Sequence, residues 1–204
     1  MKLFLARHGL TEWNASQRFQ GHSDGPLNNT GRQQARALSR RLAGEDFQVI
    51  CSSDLQRAAQ TAQVIAERQN CPVVLEPRLR EVSFGSWEGL TYAEIKQRDP
   101  GALAEWASNF LEVHPSDGET VTQLTQRVSQ VLQEIRQKYS GQKVLLVSHA
   151  GPLQVLVCLA MGFSPSLYWQ FHIAQGSLSE ITFHPAGAIL ELLNDTSHLA
   201  KPKG

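Results

Sequence analysis

Two histidines in this chain directly follow similar apolar runs. His8 comes after Leu3-Phe4-Leu5-Ala6-Arg7, and His149 comes after Val144-Leu145-Leu146-Val147-Ser148. Short apolar runs of this kind are typical of buried strands in an α/β protein. Ligands of such proteins bind beyond the carboxyl ends of the strands, which is where both histidines are expected. A single histidine after a strand is more often structural, so the functional interpretation depends on the pair.

Two arginines accompany the histidines. Arg7 precedes His8, and Arg57 follows Cys51-Ser52-Ser53 at the end of another apolar run. Planar guanidinium groups bind phosphate oxygens, and nearby positive charge disfavours a protonated imidazole. A neutral His8 could therefore attack phosphorus and form a phosphohistidine while the arginines bind the equatorial oxygens. Arg57 also falls in the first turn of a predicted helix, where a cation either points into solvent or faces a bound anion.

The leaving alkoxide of such a reaction needs a proton, and two carboxyl groups could supply it. Glu81 and Glu88 both lie in the segment Glu81–Gly89, which contains glycine and aromatic residues and has no clear period. This composition predicts a loop, in which partial burial would suit a general acid. We expect Glu81 to be the acid, with Glu88 as a competitor that the residues alone barely separate from it. Arg78 and Arg80 are expected at the rim of the same site.

Other patterns in the chain favour fewer functions. The segment 21–25 matches the G-x-S-x-G nucleophile elbow, but that motif is informative only between a strand and a helix, and here Pro26 follows it. The seven histidines show no spacing of metal ligands, so we expect neither a metal nor another cofactor. A non-catalytic domain that binds phosphometabolites is an alternative, which the presence of both His8 and Glu81 disfavours.

A sheet is needed to bring these residues together, and the apolar pattern predicts one. Strands are predicted over 1–7, 47–51, 73–75, 143–147, 177–183 and 189–193. Capping boxes at Thr30-Gly31-Arg32-Gln33 and Ser53-Asp54-Leu55-Gln56 predict two helix starts, the first helix ending near Gly44. Further helices are predicted over 92–97, 103–110, 121–135 and 152–161. Strands that alternate with helices predict an α/β fold, a three-layer α/β/α sandwich with a mostly parallel central sheet.

The composition excludes several classes of protein. The 204 residues include 19 Lys+Arg and 19 Asp+Glu, a balance that argues against a nucleic-acid partner. Three cysteines without a CxxC pair favour a reducing compartment, and no apolar segment is long enough for a membrane helix or a signal peptide. We therefore expect a cytoplasmic protein without membrane contact. We also expect one domain over 1–194 and a loose tail over 195–204, in which His198 either extends into solvent, the preferred interpretation, or closes the pocket.

Taken together, these residues resemble the phosphoglycerate mutase-like branch of the histidine phosphatase superfamily. The motifs occur in family order: Leu5-Ala6-Arg7-His8-Gly9 with Thr11, Glu12 and Asn14; Gln20-Gly21; 27–34; Ser52–Ala58 with Thr61-Ala62; Glu81–Gly89; Gly118-Glu119-Thr120; and Ser148-His149. The resemblance implies that His8 is the phosphorylated nucleophile and Glu81 the general acid and base. It implies that Arg7, Arg57 and His149 bind the phosphoryl group. It also implies substrate contacts from Asn14, Gln20 and Gly21, and a backbone N–H from Ala150, which stands where the family commonly has glycine.

The resemblance also favours a phosphatase over a mutase. The segment Arg80–Gly89 is similar to that of the phosphatase branches, and the extra segments by which mutases enclose a bisphosphate are not evident. Segments 168–171 and 192–199 are similar to metal-independent phosphoserine phosphatases, which tend to carry histidine where this chain has Phe84. We therefore expect a metal-independent phosphomonoesterase acting on phosphoserine or a related small ester. Ribazole phosphate, phosphoglycerate and sugar phosphates are alternative substrates. Mutase-type phosphoryl transfer is the alternative reaction. The Trp169 segment or the terminal strands could also form the interface of a homodimer.

Overall fold

The structure is a computed structural model that describes residues 1–200. Within these residues six strands form one sheet: β1 (Lys2–Arg7), β2 (Val49–Ser52), β3 (Val73–Leu75), β4 (Lys143–Ser148), β5 (Leu178–His184) and β6 (Gly187–Asp195). Their order in the sheet is β3-β2-β4-β1-β5-β6. The first four strands in this order are parallel to one another, and β5 and β6 join by antiparallel pairing. The predicted α/β fold with a mostly parallel sheet is confirmed.

Helices connect the strands. They are α1 (Glu12–Ala15), α2 (Asn29–Arg41), α3 (Gln56–Ala66), α4 (Tyr92–Arg98), α5 (Pro100–Ser108), α6 (Val121–Lys138) and α7 (Ala150–Met161). Short 3-10 helices cover Pro77–Leu79, Gly85–Trp87, Pro165–Gln170 and Ser197–Leu199. Among residues 1–200, no helix combines the length and apolar character needed to cross a bilayer.

Both faces of the sheet are covered, which explains why β1 is apolar without alternation. Successive side chains of a strand point to opposite faces. Leu3 and Leu5 pack with residues of α6 and α7, whereas Phe4 and Ala6 pack with residues of α2 and α3. This arrangement gives the predicted three layers and places β1 at the centre of the sheet.

The register of the parallel strands aligns the residues that follow them. Arg7 of β1 pairs with Ser148 of β4, and Ser52 of β2 pairs with Val147. The next residues, His8 and His149, therefore emerge side by side at the carboxyl edge of the sheet.

The start of α2 differs from the prediction. Asn28, and not Thr30, is the N-cap, and its Oδ1 accepts a hydrogen bond from the N–H of Gly31 at 2.9 Å. Asparagine is at least as good an N-cap as threonine, and Thr30 already lies in the first turn. The helix ends at Arg41, before Gly44.

The start of α3 differs as well, for a reason connected with the site. Its N-cap residue is Leu55, which offers no side-chain hydrogen bond. The first helical N–H, that of Gln56, instead donates to Oδ1 of Asp24 at 2.8 Å, from a loop far away in the sequence. Ser53, the predicted cap, has its hydroxyl 2.9 Å from Nε2 of His149.

Every strand boundary lies within two residues of the predicted one, and β3 has the predicted bounds. β2 begins at Val49, and Phe47 instead packs edge-on against Phe4 with ring centroids 5.1 Å apart. β6 extends to Asp195, and the 3-10 helix Ser197–Leu199 also lies within the segment predicted as the tail. Residues 201–204 of that segment lie outside the described residues, and the single-domain boundary at 194 stays a prediction.

Candidate active site

His8 stands at the carboxyl end of β1, where the backbone fixes its tautomer. The residue is 2% exposed, and its Nδ1 lies 2.7 Å from the carbonyl oxygen of Gly9. Because a carbonyl oxygen can only accept a hydrogen bond, Nδ1 carries the proton and Nε2 of the neutral ring keeps its lone pair. The backbone N–H of His8 donates to the carbonyl oxygen of Ser148 at 2.9 Å. The nitrogen available for reaction is therefore Nε2.

The surroundings of His8 keep it uncharged. Burial, followed by the positive charges of Arg57 and Arg7, lowers the pKa of His8 well below its usual value of 6.5. Loss of solvent and nearby cations both disfavour the imidazolium form. At neutral pH His8 is therefore an uncharged imidazole, as expected from the two arginines.

His149 lies behind His8. It is fully buried, and the two ring centroids are 4.9 Å apart. Nδ1 of His149 accepts a hydrogen bond from Nε of Arg57 at 3.2 Å, so the neutral ring carries its proton on Nε2 and donates it to Ser53. Burial, followed by the charge of Arg57, lowers the pKa of His149 well below 6.5. The structure thus brings His149 to the site as a partner of Arg57, while its contact with a phosphoryl group stays a prediction.

Arg7 and Arg57 keep N–H groups free for an anion. A guanidinium group has five N–H donors. Within residues 1–200, Arg7 donates one of them to the carbonyl oxygen of Ile173 at 2.6 Å, and its Nε is buried without a partner. Arg57 uses three of its N–H donors, one to Nδ1 of His149 and two to the carbonyl oxygens of Gly21 and Ser23. Burial lowers the pKa of Arg7 and lowers that of Arg57 to about 10, which leaves this guanidinium charged at neutral pH.

The N-terminus of α3 already has an acidic partner within the protein. The carboxylate of Asp24 accepts the hydrogen bond from the first helical N–H. Arg57, in the same first turn, directs its guanidinium to the cavity and to the 21–23 backbone. The anion expected beside this helix end is thus provided partly by the protein itself.

The structure separates the two candidate acids by position. Glu81 lines the cavity, and its Oε1 accepts hydrogen bonds from the N–H groups of Gly151 and Val82, both at 3.0 Å. Glu88 uses its carboxylate elsewhere, because it accepts hydrogen bonds from His22, from Ser23 and from the N–H of Phe84. Glu81 is therefore the carboxyl group available to a substrate, and Glu88 holds two loops together.

A cavity of about 280 Å³ opens over His8. Seven of the nine predicted site residues line it, namely Arg7, His8, Asn14, Gln20, Gly21, Arg57 and Glu81, whereas His149 and Ala150 do not. Asn14 contributes an Oδ1 that is buried without a hydrogen-bond partner in the described part of the chain. Buried polar atoms without partners are unfavourable, so Nε of Arg7 and Oδ1 of Asn14 mark the places where a polar ligand would complete the site.

The cavity is lined by five further residues that the sequence did not predict to be there: Gln17, Arg18, Phe19, Phe84 and Gln175. Phe19 and Phe84 meet edge to face with ring centroids 4.8 Å apart. Arg18 is held by the carbonyl oxygen of Gly89 at 2.5 Å and by Glu94 at 2.9 Å. All five lie in loops, where the sequence has no periodicity; Phe84 was noted only through the resemblance, and the Gln20-Gly21 motif was the nearest signal.

The expectation that Arg78 and Arg80 stand at the rim is wrong. Arg78 forms hydrogen-bonded ion pairs with Glu76 and Glu134, and Arg80 does so with Asp54. Neither side chain lines the cavity. Their positive charge is neutralised locally by these carboxylates, so they do not contribute to anion binding.

His198 is connected to the end of β1 through the backbone of Gly176. Its Nε2 lies 2.8 Å from the carbonyl oxygen of Gly176, whose N–H lies 3.2 and 3.1 Å from the carbonyl oxygens of Arg7 and His8. His198 thus neither extends freely into solvent nor lines the cavity, and both interpretations offered from the sequence are wrong. Its hydrogen bond supports the turn behind His8.

Residues 1–200 contain no group of three or more His, Cys, Asp or Glu side chains placed to hold a metal ion. The cationic groups that face the cavity are the guanidinium groups of Arg7, Arg18 and Arg57.

Comparison with known proteins agrees with this geometry. The sequence matches the histidine phosphatase superfamily (branch 1) over residues 3–196. It is 34% identical to phosphoserine phosphatase 1 of Hydrogenobacter thermophilus, with 98% of this chain and 95% of that protein covered. It is 33% identical to a probable phosphoglycerate mutase of Photorhabdus laumondii, with 99% and 96% covered. The crystal structure of the alpha-ribazole phosphatase from Shigella flexneri superposes with a TM-score of 0.90 at 31% identity, covering 96% of each chain.

The match spans His8, both arginines and the loop that carries Glu81, which the fold brings around one cavity. The resemblance noted in the sequence is therefore confirmed. The chain belongs to the histidine phosphatase superfamily and is a phosphoric monoester hydrolase of that family.

Proposed function

We propose that the protein hydrolyses phosphoserine or a related small phosphate monoester through a phosphohistidine on His8, without a metal or other cofactor. The observation that carries this proposal is the free lone pair on Nε2 of His8 in a cavity that Arg7, Arg57 and Glu81 also line. A neutral nucleophile, cations for the phosphoryl oxygens and a carboxyl group are the parts such a displacement needs.

In the first step Nε2 of His8 attacks phosphorus and the P–O bond to the leaving group breaks. Glu81 gives its proton to the departing oxygen, so the product is a neutral alcohol. Arg7 and Arg57 neutralise the charge on the equatorial oxygens during transfer. The ring then bears a positive charge while it keeps its Nδ1 proton, and the carbonyl oxygen of Gly9 accepts the hydrogen bond from this N–H.

In the second step water attacks the same phosphorus atom and the P–N bond breaks. The carboxylate of Glu81 takes the proton from the water, and inorganic phosphate leaves. His8 returns to the neutral form with its proton still on Nδ1. The cycle thus restores both residues and consumes one water molecule.

The size and lining of the cavity support a small substrate. A volume of about 280 Å³ lies at the lower end of the range for ligand pockets, which suits a phosphoryl group with a short leaving group. Gln17, Arg18 and Gln175 offer polar groups to a carboxylate or ammonium group, and Phe19 and Phe84 form an apolar part of the wall. We propose phosphoserine first because phosphoserine phosphatase 1 of Hydrogenobacter thermophilus is 34% identical to this chain over 98% of its length.

The mechanism is tested with His8→Ala and p-nitrophenyl phosphate. Turnover should be abolished while the protein stays folded, and the wild-type protein should form an acid-labile phosphoprotein in a burst. His184→Ala, which removes an exposed histidine at the end of β5, should change neither result. Unchanged turnover in His8→Ala would sink the mechanism, and phosphate binding without any phosphoprotein would identify a non-catalytic binding domain.

The substrate is tested by comparing kcat/KM for phosphoserine, 3-phosphoglycerate, ribazole phosphate and sugar phosphates. The highest value should belong to phosphoserine or another small ester. A mutase-type reaction is favoured by the relative named as a probable phosphoglycerate mutase. Conversion of 3-phosphoglycerate to its 2-phospho isomer, faster than phosphate release, would replace hydrolysis by that reaction.

We further propose that the enzyme acts in the cytoplasm on dissolved metabolites and does not bind nucleic acid. The equal numbers of acidic and basic residues support this, since a polyanion partner calls for a basic surface. The homodimer stays a prediction; Trp169, expected at its interface, is 62% exposed.

A further inference from the structure

Arg127 reaches from α6 to the backbone of the loop that carries Glu81. Its Nη1 donates to the carbonyl oxygens of Arg78 and Arg80 at 2.6 and 2.7 Å. Its Nη2 donates to the carbonyl oxygen of Glu81 at 2.8 Å. One side chain thus holds three peptide groups at and just before the proposed general acid.

Glu119 completes this arrangement. Its two carboxylate oxygens accept from Nε and Nη2 of Arg127, both at 2.7 Å. All five N–H groups of the guanidinium therefore have partners, which is its full donor capacity. Oε2 of Glu119 also accepts from the N–H of Ser83 at 3.3 Å, so the ion pair holds the loop on both sides of Glu81. We refer to Arg127 and Glu119 as the loop clamp.

The loop clamp is mostly buried but does not touch the cavity. The side chains of Arg127 and Glu119 are 17% and 15% exposed, and neither lines the space over His8. On the opposite side, Nε2 of His22 lies 2.8 Å from the same carbonyl oxygen of Glu81. That carbonyl oxygen is therefore held from two directions, and displacement of the loop would displace the carboxyl group with it.

We infer that Arg127 and Glu119 are positioning residues that hold Glu81 in place for proton transfer, an inference that rests on the proposed role of Glu81. A charge at this distance from the cavity is not needed to bind phosphate, because Arg7 and Arg57 lie there. A planar guanidinium with five satisfied donors is instead suited to fixing peptide groups, which lysine cannot reproduce. Misplacement of a catalytic group by about 1 Å can lower a rate by about 100-fold.

The test compares two leaving groups, since only one of them needs the acid. p-Nitrophenolate is a weak base and leaves without taking up a proton. The alkoxide released from phosphoserine or 3-phosphoglycerate is a strong base and needs a proton from the acid to leave. In Arg127→Gln, the burst of p-nitrophenolate should keep its rate within about 3-fold. Phosphorylation of His8 by the alkyl esters should fall about 100-fold in kcat with little change in KM. Arg127→Lys should recover only part of the loss.

Arg78→Gln is the matched control. It removes an arginine of the same loop and its ion pairs with Glu76 and Glu134, but leaves the carbonyl oxygen that Arg127 contacts. This variant should react with both kinds of substrate as the wild type does. Glu81→Gln tests the proposed function itself and should show the same selective loss as Arg127→Gln.

Each remaining outcome decides the inference. In a folded Arg127→Gln protein, an equal loss of phosphorylation rate with both leaving groups, or no loss with either, would overturn the role of the loop clamp. The proposed mechanism would still stand if Glu81→Gln showed the selective loss. If Glu81→Gln shows no selectivity, the proposed function fails first. Should Arg127→Gln not fold, Glu119→Gln takes its place, because it keeps the arginine and weakens its anchor; absence of selectivity there would overturn the inference.

Discussion

His8 and His149 are two imidazoles with depressed pKa values, of which His8 lines the cavity and His149 lies behind it. Their rings are 4.9 Å apart, and both are buried beside Arg57. Neither can take up a proton near neutral pH without placing a further positive charge among these groups. His8 is therefore in the uncharged form that the proposed attack requires before substrate binds, because of its burial and the two arginines.

The same depressed pKa values predict that the protein loses stability on mild acidification. In the unfolded chain each histidine binds a proton as the pH falls through about 6.5, whereas the buried rings do not until a lower pH is reached. The unfolded state thus binds more protons, and the free energy of unfolding should fall below pH 6.5 by up to about 1.4 kcal/mol per pH unit for each histidine. Urea unfolding between pH 7.5 and 5 measures this.

His149→Asn should reduce that pH slope, and His184→Gln, at an exposed position, should leave it unchanged. A slope that is the same in all three proteins would contradict the assignment to the buried histidines.

Gly151 keeps space for the carboxyl group of Glu81. A Cβ at this position would lie 2.5 Å from Oε1, compared with 3.4 Å or more for ordinary contact, so Gly151→Ala must move the carboxyl group by about 1 Å. We expect turnover of alkyl phosphates to fall about 100-fold with little change in melting temperature, because the displaced atom is the end of a flexible side chain. Gly44→Ala, where a Cβ meets nothing within 4 Å, is the control. Full activity in Gly151→Ala would show that the position of Oε1 is not critical.

At the scale of elements, the loop from residue 20 to 25 connects parts of the site that the sheet alone does not hold. Arg57 donates to the carbonyl oxygens of Gly21 and Ser23, and Glu88 accepts from the N–H groups of His22 and Ser23. The loop thus binds α3 on one side and the acidic loop on the other. Movement of the 20–25 loop, of α3 or of the acidic loop would therefore displace the other two.

Asp24 caps α3 from this loop, and its removal should destabilise the protein. Asp24→Ala leaves the first N–H of α3 without its partner, and we expect a loss of about 1 kcal/mol in the free energy of unfolding. Asp24→Asn keeps an acceptor oxygen and should lose less. Asp46→Ala, at an exposed position, is the control for removing one negative charge. Equal stability of Asp24→Ala and Asp46→Ala would mean that the cap contributes nothing.

These two loops also mark the limit of prediction from the sequence. His8, His149 and Arg57 can be placed together because parallel strands align their carboxyl ends and the register follows from the apolar runs. The choice between Glu81 and Glu88 cannot be made this way, since it depends on N–H donors from distant elements such as Gly151 and Ser23. The capping pattern failed at Ser53 because α3 begins only at Gln56, and the contact of the Ser53 hydroxyl with His149 comes from a distant element that local sequence does not reveal.

For the whole molecule, a neutral composition contains a local positive site at the cavity. Lys+Arg and Asp+Glu both number 19, while Arg78 and Arg80 are neutralised by neighbouring carboxylates. Arg7 and Arg57, by contrast, keep donors free at the cavity beside His8. We therefore expect anion binding to depend on the arrangement of these side chains and not on net charge.

Because guanidinium groups supply this charge, we expect activity to be independent of added metal. Incubation with EDTA followed by removal of the chelator should leave kcat for p-nitrophenyl phosphate unchanged. Arg57→Lys keeps one positive charge but not the planar fork, and should lose activity under both conditions. Loss of activity with EDTA that only a divalent metal restores would refute a pocket that works by arginine alone.

The reactive groups are fixed largely by peptide atoms: Gly9 for His8, Ile173 for Arg7, Gly21 and Ser23 for Arg57, and Val82 and Gly151 for Glu81. Other side chains that line the cavity, such as Gln17, Phe19 and Phe84, do not make these contacts. A change of side chain in that wall therefore leaves the reacting geometry intact. This separation makes those positions the ones to randomise in a search for new phosphatase specificities.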